Sequence, residues 1–313
     1  MAPIVLVTGA NGFVGRHATR ALTLAGWNVR AAQRSPTPGS ANGDIVNGLE
    51  LGPSTDWLTA LREVQAVVHL AARAHRSNRI QTNEQDLYHT INVLGTMQLA
   101  RSAISAGVKQ FIFLSSIAVN GNTTDGREPF SEYDRMAPNS VYGQSKAAAE
   151  QGLSEVARNC GMSITAIRAP MIYGAGASGN FGKLVSAVRS GVPLPFGLVK
   201  NRRAFLGIDN LTSFILRRLS ASAPPGFEVF LVADDNEVST PDLVRGLARA
   251  CARPARLLPL PISLLRPPLN ALGLSDAVLG SLQMNITKAH RTGWECPLTL
   301  DEGLSLAILS QAS

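Results

Sequence analysis

"IVLVTGANGFVG", residues 4–15, decides how the rest of the chain is read. A short apolar run ends at Thr8, and Gly9, Gly12 and Gly15 follow at intervals of three. Glycine reaches positive φ and, lacking a side chain, lets backbone come close to a diphosphate. A helix opening inside this loop presents free N–H groups and the positive end of its dipole to that anion. A spaced glycine triplet is weak by itself. Placed between a first strand and a first helix, it meets the structural condition for dinucleotide binding. Gly9, Gly12 and Gly15, with Phe13 and Val14 between them, are therefore the first candidate cofactor contacts.

Outward from the loop, short β-rich runs alternate with longer helical stretches. Residues 4–9, 28–33, 66–71, 110–116, 163–168 and 227–233 read as strands. The central ones are nearly continuous apolar runs, as in parallel strands covered on both faces. Helices are expected over 12–25, 55–62, 84–106 and 140–160, with Gly26, Gly107 and Gly161 as C-terminal caps. This rhythm implies an α/β fold, a doubly wound parallel sheet of the Rossmann type. After Arg168 glycine and proline crowd residues 170–197 and the alternation weakens, which points to a smaller α/β substrate-binding lobe. The expected division is 1–167 for the dinucleotide-binding domain, rejoined by 204–233, with 168–203 and 234–313 in the lobe.

The end of the second strand bears on the cofactor. An acidic residue there would hold the ribose 2′-OH of NAD. Gln33 stands at that place and Arg34 follows, so no carboxylate repels a 2′-phosphate and the guanidinium fork suits one. NADP(H) is favoured over NAD(H). Glu50 and Leu51 are expected at the adenine edge, and Leu70, Ala71 and Ala72, in "HLAARAH" (69–75), along the path of ribose and phosphate. His69 reads as a packed strand residue, not a base.

Bulk properties narrow the class. The 313 residues carry a net charge of +7, with 45% hydrophobic and 16% charged residues, an ordinary globular balance. The arginines are scattered and not interleaved with aromatics, so anionic small molecules are better partners for the charge than nucleic acid. Three separated cysteines, Cys160, Cys251 and Cys296, suggest neither disulfides nor a metal site, which suits a reducing cytoplasm. The N-terminus reads as a first strand, not a leader. No membrane insertion is expected, since the most apolar segment, 257–274, is broken by prolines and Arg266 and reads as buried or interfacial loop and helix.

The chemistry centres on "SVYGQSK", residues 140–146. Tyr142 and Lys146 are four apart and share a helix face. A tyrosine of ordinary pKa, about 10, is a poor base at neutral pH. A neighbouring ammonium would favour the phenolate, and Ser116, at the end of the fourth long strand, could orient substrate at the ligand edge of the sheet. The set suits hydride transfer coupled to proton transfer through Tyr142. A tyrosine–lysine pair alone is often coincidence; the glycine loop and Ser116 lend it weight.

Together these motifs resemble the extended short-chain dehydrogenase/reductases, and within them the NAD-dependent epimerase/dehydratase branch acting on nucleotide sugars. "VVHLAA" (67–72), "INVLGTMQL" (91–99), "IRAPMIYG" (167–174), "RRAFLGIDNL" (202–211) and "TGW" (292–294) resemble family landmarks in their usual order. The resemblance implies Ser116, Tyr142 and Lys146 as the catalytic set, with Lys146 also holding nicotinamide ribose. It implies substrate contacts from Tyr173, Asn180, Arg202 and Arg203, the arginines on the diphosphate, whereas Asp209 reads as a helix N-cap. Similar dehydratases carry an Asp-Glu pair where this chain has Ile117 and Ala118, so dehydration is not expected. A reductase of a UDP-4-keto-sugar and a UDP-sugar 4-epimerase remain, with the cofactor reading leaning to the reductase. Asn92 is given no chemical role, and a homodimer through 84–106 and 140–160 is expected.

Overall fold

The structure, a computed structural model, describes residues 2–34, 44–73, 84–158, 160–221 and 223–309. Ala74 and His75, the end of the HLAARAH loop, lie outside them. The chain divides into two compact units. One holds Met1–Asn120, Arg135–Arg168 and Thr212–Phe230, the other Gly121–Asp134, Ala169–Leu211 and Leu231–Ser313. The division expected from the sequence differs from these units in placing 121–134, 204–211 and 231–233 with the dinucleotide-binding domain and Arg168 with the lobe. Residues 121–134 pair instead with the 280s, through Thr124 N–H to the Ser281 carbonyl at 2.9 Å and Phe130 N–H to the Gln283 carbonyl at 2.9 Å.

In the first unit β1 (Ile4–Thr8), α1 (Phe13–Leu24), β2 (Asn28–Ala32), β3 (Asp44–Val46) and β4 (Val64–His69) follow in order. Then come α2 (Glu84–Tyr88), a π-helical stretch over His89–Gly95, α3 (Thr96–Ser105), β5 (Gln110–Ser116), α4 (Val141–Ala157) and β6 (Ser163–Ala169). With β9 (Gly226–Leu231) the strands form one sheet in the order β3-β2-β1-β4-β5-β6-β9. The β1–β2, β1–β4, β2–β3 and β4–β5 pairings are parallel. Strand order reverses at β1, between β2 and β4, and the crevice outside the carboxyl ends at such a switch point is where α/β sheets bind ligands. Leu6, Val67, Phe111, Phe113, Leu153 and Ile164 share the core cluster.

Three expectations fail for identifiable reasons. Residues 55–62 form turns, not a helix. The Asp56 carboxylate accepts the Leu58 N–H at 2.9 Å, and Glu63 ends the stretch at φ 62°. The helix over 84–106 is interrupted by the π-helical turn. Gly26 and Gly107 cap α1 and α3 at φ 87° and 77°, but α4 stops at Ala157, before Gly161, which does not adopt the left-handed conformation.

The second unit contains the two-stranded parallel sheet of β7 (Met171–Tyr173) and β8 (Phe205–Gly207), and α5 (Gly179–Arg189). The helix α6 (Ile208–Ser220) follows β8 directly. Later come α7 (Thr240–Ala250), α8 (Ile262–Ala271), α9 (Ser275–Val278), α10 (Thr287–His290) and α11 (Leu300–Leu309). The 257–274 segment, expected to be buried or interfacial, is largely exposed, and Leu265 is its one fully buried residue. No described helix is long and apolar enough to cross a membrane.

Candidate active site

The glycine loop is built as close-packed backbone. A Cβ on Gly9 would sit 2.8 Å from the Ala71 nitrogen, and one on Gly15 would overlap the Gly9 carbonyl oxygen and lie 2.7 Å from the Ala10 Cα. Gly9 itself is left-handed, at φ 69°. Gly12 is the N-cap of α1 and offers no side-chain cap, and no acidic residue stands in the first turn. The first N–H groups of α1 are thus left for an anion. The loop after β4 packs against this turn, with Leu70 N–H bonded to the Thr8 carbonyl at 3.3 Å and Ala71 N–H to the Thr8 hydroxyl at 3.2 Å. At the end of β2 the buried Gln33 Oε1 has no hydrogen-bond partner among the described residues. An orphaned amide carbonyl at that place fits a donating ribose hydroxyl, and the uncapped helix start behind a loop without side chains suits the diphosphate. The residues present therefore suit a dinucleotide. Arg34 is exposed. Glu50 is exposed, its carbonyl accepting the Thr55 hydroxyl, while half-buried Leu51 packs so closely that a Cβ on Gly95 would meet its Cγ at 2.7 Å.

Gly15→Ala tests the cradle. The atoms it would strike are backbone, so relief requires moving the loop. Overpacking of about 1–3 kcal/mol predicts roughly tenfold or greater loss of dinucleotide affinity, read by calorimetric titration.

Ser116, Tyr142 and Lys146 come together in the first unit. Ser116 ends β5, caps the 3-10 turn Ile117–Val119 by accepting the Ala118 N–H at 3.2 Å, and its hydroxyl favours the ionised form of Tyr142. Tyr142 enters at the first turn of α4, whose N-cap Ser140 accepts the Gly143 N–H at 3.1 Å. Burial pushes its phenol up to about 12, Tyr88 adds to the rise, and the Ser116 hydroxyl pulls against it. Tyr88 packs edge-on to it, with ring centroids 6.4 Å apart. Lys146 is buried and donates from Nζ to the Leu114 carbonyl at 2.8 Å. Burial pulls its ammonium down to about 7, opposed by Glu150.

The sequence reading had Lys146 lowering the tyrosine pKa, and this is corrected. Nζ lies 6.0 Å from the Tyr142 ring centroid and 4.4 Å from that of Phe113. An ammonium so placed, and partly deprotonated near neutral pH, does not offset burial of the phenol. In the protein without ligand Tyr142 is a protonated phenol, with Ser116 acting against the effect of burial.

Residues that sequence reasoning passed over brace this set. Asn92, in the π-helical turn, accepts the Arg73 N–H at 2.7 Å and donates to the Arg73 carbonyl at 3.1 Å and the Ser145 hydroxyl at 3.0 Å. Ser145 in turn donates to the Tyr142 carbonyl at 2.8 Å. One amide thus ties the loop after β4 to the first turn of α4, and π-turns recur at such functional places. Below Lys146, buried Glu150 accepts from Ser115 and pairs with Arg168 at 2.6 Å, and Arg168 donates to Asn120 at 2.9 Å. An arginine in an otherwise apolar strand and a glutamate one turn past Lys146 were the available signals. His69, as expected, is packed. Burial and Lys146 bring its imidazole down to about 3, and its nitrogens lie 2.6 Å from the Thr8 hydroxyl and 2.9 Å from that of Thr96.

In the second unit Asn180 is exposed in the first turn of α5, which has no side-chain cap and no acidic residue there. Among the described residues the Arg203 guanidinium donates through Nη1, to the Asp276 and Gly280 carbonyls at 2.7 Å each. The fork keeps Nε and Nη2 on its other side. Burial lowers its pKa to about 10 against Asp125 and Asp276. Arg202 is exposed and 3.5 Å from Glu237. Two expectations change. Tyr173 is fully buried, its hydroxyl committed to Asp234 at 2.8 Å, where it braces β7 and takes no part in the substrate reading. Asp209 lies inside the first turn of α6, not at a cap.

The small-residue run on α4 finds its use within the chain. Ala147 and Ala149 are buried, and a Cβ on Gly152 would meet the Met97 sulfur at 2.6 Å, so the run does not itself point to a second copy.

Residues 5–233 match the model of the NAD dependent epimerase/dehydratase family. The chain is 38% identical over 309 residues to a UDP-glucose 4-epimerase of Vibrio cholerae, covering 97% of this chain and 94% of that one. It is 28% identical over 321 residues to an N-acetyl-alpha-D-glucosaminyl-diphospho-ditrans,octacis-undecaprenol 4-epimerase of Escherichia coli O157:H7, covering 96% and 92%. Among solved structures, MoeE5 in complex with UDP-glucose and NAD superposes with a TM-score of 0.78 at 27% identity, covering 98% of each chain. The chain belongs to the NAD dependent epimerase/dehydratase family of enzymes.

Proposed function

We propose that the protein is a UDP-sugar 4-epimerase that keeps NAD bound through turnover. The observation that carries this reading is the Ser116–Tyr142–Lys146 set followed by Ile117 and Ala118, in a chain 38% identical over nearly its whole length to a UDP-glucose 4-epimerase. Tyr142 takes the proton from the sugar 4-hydroxyl and returns it, Ser116 holds the phenolic oxygen, and Lys146 meets the nicotinamide ribose. Ile117 and Ala118 offer no group for eliminating water. NAD, when bound, supplies the hydride acceptor and donor.

The cofactor lean changes accordingly. Gln33 presents an unsatisfied acceptor, which suits a ribose hydroxyl better than a 2′-phosphate, and MoeE5 carries NAD. NAD(H) thus replaces NADP(H) as the proposed cofactor, with Gly9, Gly12, Gly15 and the loop 70–72 on its phosphates and ribose and Leu51 at its adenine. Asn180 and the free edge of the Arg203 fork, with Arg202, are proposed for the UDP diphosphate. A planar fork pairs two phosphate oxygens at once.

The experiment is incubation of the purified protein with UDP-glucose and no added cofactor. Conversion to UDP-galactose, with NAD released on denaturation, is the expected result. Strict dependence on NADPH with one equivalent oxidised per turnover would overturn the epimerase in favour of a 4-keto-sugar reductase.

A further inference from the structure

The segment from 253 to 274 is a largely exposed apolar stretch of the second unit. Leu258, Leu260, Leu264 and Leu272 are 46, 37, 64 and 69% exposed. It enters as an extended strand-like run, Leu258 N–H bonded to the Leu194 carbonyl at 2.8 Å, and continues as α8. On α8, Leu264, Pro268 and Ala271, with Leu272 at the cap, fall at i, i+4, i+7 and i+8, a single stripe of a helix. That stripe faces outward, while Leu265 alone turns fully into the unit.

Its charge is one-sided. Residues 243–275 contain no aspartate or glutamate. Arg245 and Arg249 are neutralised by Asp242 and Asp301, each at 2.7 Å, but exposed Arg253 and Arg256 lead into the leucine run, with Arg256 also donating to the Gly191 carbonyl at 3.3 Å. A second copy seated face to face would set this cationic surface against itself. An anionic surface complements it.

We propose that this face docks the protein on an anionic phospholipid membrane, with the leucines in the headgroup and upper acyl region and the arginines on phosphates. Exposed apolar side chains flanked by arginine are the composition of helices that lie in a membrane interface, and each basic residue near an anionic leaflet adds attraction. Depth is limited by Pro267 and Pro268, which offer no N–H to the Ser263 and Leu264 carbonyls. Such carbonyls need water or headgroups and are not tolerated in hydrocarbon. The segment therefore lies on the surface without spanning. The inference holds whichever sugar is turned over.

The test is flotation with vesicles of about 30% phosphatidylglycerol in phosphatidylcholine, against phosphatidylcholine alone. The native protein is expected to float with the anionic vesicles only. Leu264→Ser with Leu272→Ser should weaken binding about tenfold or more, and Arg253→Gln with Arg256→Gln by a similar factor. All four side chains are exposed, so turnover of UDP-glucose without lipid should stay at the native level, which also separates failure here from failure of the epimerase reading. Absence of flotation, flotation unchanged by the leucine substitutions, or a dimer in lipid-free buffer that those substitutions split would each overturn the proposal.

Discussion

Tyr142→Phe is expected to lower kcat by roughly 10²–10⁴, the range for losing a positioned proton donor and acceptor, with little change in KM. The substitution removes one hydroxyl and leaves the ring packed edge-on to Tyr88, so melting temperature should hold. Unreduced turnover would remove Tyr142 from the chemistry. The pH profile adds a second measurement. Abstracting a proton from the sugar needs the phenolate, and burial pushes the phenol up to about 12, so the native rate should climb toward alkaline pH and the Phe variant should lose that limb. Ser116 lowers the tyrosine pKa; Ser116→Ala therefore moves the limb to higher pH. If Ser116 only capped the turn after β5, activity would fall without that displacement.

Much of this arrangement was legible because it sits on long, regular elements. β1, β4, β5 and β6 are apolar runs bounded by turn residues, and the glycine loop, Ser116 and Tyr142 each occupy the end of such an element. β3, β7 and β8 escaped, since three residues carry no period. The stretch 55–62 misled for the opposite reason. Trp57, Ala60 and Leu61 are buried at helical spacing, yet one turn closed by left-handed Glu63 satisfies it. The role of Lys146 could not be read from its i+4 position, because its state depends first on burial, and its Nζ is drawn to the Leu114 carbonyl, both set by the sheet. Asn92 was set aside because sequence shows no sign that a π-turn would aim its amide at two segments.

Arg168 shows how much of the site lies behind the reacting groups, and Arg168→Met is expected to cost about 3–5 kcal/mol, the range for leaving one partner of a buried ion pair uncompensated. Glu150 is fully buried, and its carboxylate oxygens are held by Arg168 and Ser115. Without the guanidinium its carboxylate keeps the Ser115 hydroxyl and the charge of Lys146, and no solvent reaches it. A loss on this scale should lower the melting temperature by roughly 10 °C in a chain of this size. Removing both charges in Arg168→Met with Glu150→Leu should recover much of the stability, because well-packed apolar side chains replace a buried pair at little cost. The double variant should still differ from the native enzyme in one respect. Glu150 helps keep Lys146 charged, so its loss lets that ammonium deprotonate at lower pH, and the pH profile of turnover should move with it. Singles no less stable than the double would show that the pair is not coupled, and an unmoved profile in a stable double variant would confine Glu150 to packing.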